Sequence, residues 1–132
     1  MATIQKFEDL EIWQLARSLC QKIYPLTFSG PIAKDFRYKD QIRGSCGSVM
    51  DNIAEGFGRG SKLEFINSLT IAKGEAEELK SQLYRGLDNN YISKTLFEEL
   101  YNETELLIKK IGAFISYLNK SNIRGQKFKE RI

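Results

Sequence analysis

The chain has 132 residues, 42% of them hydrophobic and 28% charged, with a formal net charge of +3 and no histidine. That length gives one domain large enough to bury a core, and eight phenylalanines, six tyrosines and Trp13 exclude a disordered chain. The missing histidine removes the commonest general base and metal ligand, and no apolar run is long enough for a membrane span. A cytoplasmic protein with no cofactor, no metal and no small-molecule substrate is therefore expected.

Residues 8–26 read as the first helix, because Ile12, Ala16, Leu19, Ile23 and Leu26 recur at spacings of three and four. Pro25 disfavours continuation, and residues 27–34, with Phe28, Ser29, Gly30 and Pro31, have the composition of a connector. A second helix is expected over 35–58, with Ile42, Cys46, Val49, Ile53 and Phe57 on one face. Cys20 and Cys46 lack metal-ligand spacing and lie in these apolar patterns, so both are expected as reduced, buried thiols.

The second helix should end among Gly56, Gly58 and Gly60, each of which costs helical backbone about 1 kcal/mol relative to alanine. Ser61 and Glu64 then offer a capping box for a third helix over 61–89. That helix carries an unbroken heptad seam of Phe65, Leu69, Ala72, Ala76, Leu79, Leu83 and Gly86. Asn89 and Asn90 end it, and Ser93 caps a fourth helix over 93–120 whose seam is Phe97, Leu100, Thr104, Leu107, Ile111, Phe114 and Leu118. No stretch alternates with period two, so the fold class is all-α, an antiparallel up-down-up-down four-helix bundle over residues 1–120.

Trp13 and Tyr24 on the first helix and Tyr101, Ile108 and Ile115 on the fourth widen the apolar arc beyond what one core requires. Apolar surface of that extent is covered by another subunit, so these five residues are the expected interface of a homo-oligomer.

Charge is unevenly spread. Residues 120–132 hold five basic side chains against one acidic, while residues 1–119 hold 15 against 16, so the net basicity lies in a poorly anchored tail over 121–132 that contains Arg124, Lys127 and Lys129. Local cationic candidates for nucleic acid are Lys34, Arg37, Lys39 and Arg43 at the head of the second helix, Arg59 and Lys62 at the turn, and Lys109 with Lys110. Asp35 and Asp40 interleave the first group. Asp51 and Glu55 with Glu75 or Glu78 are the nearest approach to a catalytic constellation, but an i,i+4 pair of Glu55 with Arg59 is the plainer reading, and no enzyme is expected. The glycine run before Ser61 lacks the preceding strand and the lysine of a phosphate loop, and reads as a turn. Asn52 reads as an interhelical hydrogen-bond partner.

The block Asn52-Ile53-Ala54-Glu55-Gly56-Phe57-Gly58-Arg59, with Phe7-Glu8-Asp9-Leu10, Gln41-Ile42-Arg43, Glu64-Phe65, Ile71-Ala72-Lys73-Gly74 and Glu78-Leu79, resembles the S23 ribosomal proteins of intervening sequences in bacterial 23S ribosomal RNA genes. The resemblance implies an antiparallel four-helix bundle that forms a homopentamer. It also implies kinship with the accessory proteins of diversity-generating retroelements and, through them, binding of RNA or DNA. The chain departs from that pattern at Gly44, Met50, Asp51 and Glu75, changes that remove positive charge, add negative charge or alter the second helix. The alternative is a structural or protein-interaction oligomer without nucleic-acid binding.

Overall fold

The computed structural model describes residues 4–121, and all regular structure among them is helical. Helix α1 spans Glu11–Ile23, between the single 3-10 turns Phe7–Asp9 and Tyr24–Thr27; α2 spans Gly30–Lys34, α3 Phe36–Gly58, α4 Lys62–Asp88 and α5 Lys94–Lys120. The first helix is shorter than its periodicity suggests. Pro25 has no amide to donate back along the helix, so the chain tightens into the second 3-10 turn at that point. The expected connector contains a short helix of its own, begun by Gly30 at φ 69° and Pro31.

The long helices start and stop by side-chain chemistry. Asp35, Ser61 and Ser93 accept hydrogen bonds from the amides of Tyr38, Glu64 and Leu96, and Asn90 follows α4 in the left-handed region at φ 61°. The box at Ser61 is only half formed, because the Glu64 carboxylate turns to Arg59 at 3.4 Å.

Every residue of the α3 and α4 seams is buried, as is the α5 seam apart from the half-buried Phe114. Between α3 and α4, Tyr38 meets Gly86, Ser45 meets Gln82 and Gly56 meets Ser68, so the partners descend as the first residue rises. Helix α1 packs against α3, where the Cys20 thiol meets the Cys46 carbonyl, and ion pairs join other neighbours: Glu11 with Lys110 and Lys22 with Glu99 and Glu103 between α1 and α5, and Lys80 with Glu105 between α4 and α5.

Gly56 does more than weaken a helix end. A Cβ at this position would stand 2.4 Å from the Ser68 Cβ, so the glycine sets how closely α3 approaches α4. The turn itself falls to Gly60 at φ 78°. Asn52 bonds within its own helix, its amide donating to the Ser48 carbonyl at 2.8 Å, and leaves the α3–α4 register to Ser45 and Gln82.

Candidate nucleic-acid interface

The bend after α1 builds the most distinctive surface of the molecule. Pro25 forces the 3-10 turn, which buries Thr27, whose hydroxyl donates to the Tyr24 carbonyl at 2.7 Å and accepts from Arg43 Nε at 2.7 Å. Thus fixed, the Arg43 guanidinium lies 5.5 Å from the Tyr24 ring centre and 5.1 Å from that of Phe28. One turn back along α3, Lys39 Nζ lies 5.0 Å from the centre of the Phe36 ring. Phe36, Lys39 and Arg43 stand at i, i+3 and i+7 and so share a helix face. Phe28 and Phe36 are 66% and 70% exposed.

Of the two aspartates that interleave these cations in sequence, Asp35 is held by hydrogen bonds. Asp35 accepts from the Tyr91 hydroxyl at 2.6 Å and from the Tyr38 amide at 3.1 Å, and these bonds hold its carboxyl below the usual carboxylate range. Asp40 is exposed, one turn from both Phe36 and Arg43, and with Glu75, Glu78 and Arg85 it lines a cleft of 310 Å³ toward α4. Lys34 and Arg37 are exposed at the start of α3, Arg37 about 100° of helical rotation from Phe36, and Arg37 makes no ion pair among the described residues.

The other cationic candidates are less available. Arg59 is held by Glu55 at 3.0 Å and Glu64 at 3.4 Å, which compensates its charge twice and sets carboxylates where a phosphate would approach the start of α4. Lys62 donates to the Ser121 carbonyl at 3.0 Å, and Lys110 pairs with Glu11 at 3.2 Å. Arg124, Lys127 and Lys129 lie outside the described residues. Glu75 and Glu78 share their cleft with Asp40 and not with Asp51 or Glu55, and no group of three carboxylate or thiol side chains among the described residues is placed to hold a metal ion.

The surplus apolar stripes are largely taken up by the chain's own packing. Ile108 is 7% exposed and belongs to the core, so little of it is left for a second subunit. Trp13 packs edge-on against Phe7 at 5.0 Å, Tyr101 against Tyr84 and Phe97 at 5.7 and 5.5 Å, and Ile115 lies half-buried on the core. Tyr24 is partly exposed but carries Arg43. Both cysteines are free and buried, with the Cys20 thiol donating to the Cys46 carbonyl at 3.0 Å.

Phe28 and Phe36 escape a reading based on seams. The signal is present nonetheless: the buried seam of α3 begins at Tyr38 and Ile42, and Phe36 lies about 200° of helical rotation from Tyr38, too far round to reach the same core.

Helices around one core, with a cationic and aromatic corner and no strand among the described residues, define a helical protein. Residues 8–113 match the model of the 23S rRNA-intervening sequence proteins, and the chain belongs to that family. The fold is similar to the crystal structure of a protein with unknown function from the S23 ribosomal protein family of Bacteroides thetaiotaomicron, with 25% identity, a TM-score of 0.73, and coverage of 80% of this chain and 95% of that one. No curated protein matches.

Proposed function

We propose that this chain is a non-enzymatic, cytoplasmic subunit that binds nucleic acid through the corner formed by Tyr24, Phe28, Phe36, Lys39 and Arg43. The observation that carries this reading is the pre-organised Arg43, fixed by Thr27 between two rings and flanked by other cations, with the nearby Asp35 held by Tyr91 and Tyr38. A side chain already ordered in the free protein loses less entropy when a phosphate arrives. The chain forms an antiparallel up-down-up-down bundle that assembles as a homopentamer, and such a ring would present each basic corner five times on one assembly, as the family resemblance implies. Phosphate affinity grows with each cation engaged.

The test is a salt titration of the purified assembly against single-stranded and duplex RNA and DNA. Affinity should fall steeply with salt, by up to about 0.9 in logarithmic slope for each cation that engages a duplex phosphate. Absence of binding to all four at about 50 mM salt would end the proposal.

A second reading, a structural or protein-interaction oligomer, has its own support on α4. Leu63 and Ile71 are 67% and 53% exposed there, and the acidic cleft of Asp40, Glu75 and Glu78 would repel phosphate. Light scattering that finds a stable monomer of 15.2 kDa would remove the oligomer from both readings.

A further inference from the structure

We infer that Phe28 and Phe36 are stacking platforms for unpaired bases, so that the corner selects single-stranded over duplex nucleic acid; this rests on the nucleic-acid reading above and specifies its ligand. A single exposed hydrophobic residue is ordinary on a protein surface. Two phenylalanines exposed by 66% and 70%, each with a cation 5.1 or 5.0 Å from its ring centre, are a patterned surface. With so much of each ring open to solvent beside its cation, a planar base has room to stack. Arg43 and Lys39 stand one helical turn apart and Phe36 and Arg43 about two, roughly 10 Å along α3, so ring, cation and cation follow a line along which a strand can lie.

The chemistry favours an unpaired strand. In a duplex the base faces are already stacked on one another and only phosphates and groove edges are presented, so the rings gain little contact there. A flexible single strand can turn its bases out onto phenyl faces while its phosphates meet Lys34, Arg37, Lys39 and Arg43, the combination of aromatic platform and cationic track by which proteins hold single strands. Stacking is tolerant of base identity because every base has a π face. A second copy of the chain is the poorer occupant, since a self-complementary contact at this corner would bring its cations against the same cations.

The experiment uses the full chain and fluorescence anisotropy with labelled single-stranded oligonucleotides of about 15 residues, as RNA and as DNA, and duplexes of the same length. The wild type should bind the single strands more tightly than the duplexes. The double variant Phe28→Leu with Phe36→Leu should lose about tenfold or more in single-strand affinity while its salt slope and its duplex affinity stay unchanged, because no charge has been removed. Lys34→Ala with Arg37→Ala should instead lower affinity for both kinds of strand and flatten the salt slope. Both pairs are exposed, so folding is retained and thermal unfolding checks it. Equal, salt-dependent binding of single strands and duplexes, unchanged in the leucine variant, would overturn the stacking inference and leave the nucleic-acid reading standing. No binding to any probe would overturn both. A leucine variant that binds normally but no longer assembles would show that the rings contact another subunit, and that too would overturn the inference.

Discussion

Phe57 and Phe65 are 2% and 0% exposed, whereas Phe28 and Phe36, the same amino acid in the same chain, stand in solvent. The first pair lies where α3 and α4 approach most closely, ring against ring at 5.8 Å, with Phe114 of α5 behind at 5.5 Å from Phe65. The second pair stands at the opposite end of α3, beside cations and without a helix to cover it. The contrast shows that aromatic content divides here into two environments, and that what divides it is register: 57 and 65 fall on their helices' seams and 28 and 36 do not.

Removing one ring from each region should separate them most widely. Phe65→Ala should cost about 3–5 kcal/mol in chemical denaturation, through lost burial plus a cavity the neighbours cannot close. Phe36→Ala should change stability by less than about 0.5 kcal/mol. Comparable losses at the two positions would mean that the Phe36 ring is covered in the folded protein.

A glycine pair sharpens the close-packed side of the comparison. Gly56→Ala places a methyl 2.4 Å from the Ser68 Cβ and should destabilise by about 1–3 kcal/mol. Gly74→Ala, in the interior of α4 with no atom within 4 Å of the new Cβ, should gain about 0.5–1 kcal/mol by improving helix propensity. If Gly56→Ala lost no more stability than Gly74→Ala, the separation of α3 from α4 would not be set at Gly56.

The smallest effect belongs to the exposed end and is read in pH. Bonds from Tyr91 and Tyr38 hold the Asp35 carboxyl below its ordinary value, so its contribution to stability is present above the unfolded carboxyl's pKa of about 3.9 and is lost as pH falls through the lower folded value. Asp35→Asn keeps an acceptor for the Tyr38 amide and carries no titrating group. Its unfolding midpoint should therefore fall less than that of the wild type between about pH 5 and pH 2. Identical acid profiles would mean that Asp35 is not held by these bonds.

The sequence by itself determined the helical class, the seams, the serine caps at Ser61 and Ser93 and the exit at Asn90, because each depends on spacing along one helix or on bonds within a few residues. The i,i+4 pair of Glu55 and Arg59 was legible for the same reason. The tertiary structure alone decided the rest. It gave Gly56 a packing role and drew Ile108 into the chain's own core. It also placed the charges: the Lys39 ammonium lies over the Phe36 ring, while Asp40, on the other flank of that ring, lines the α4 cleft. No spacing rule could seat Arg43 between Tyr24 and Phe28, since that arrangement needs the chain to bend back after α1 and bring residues 24–28 against position 43.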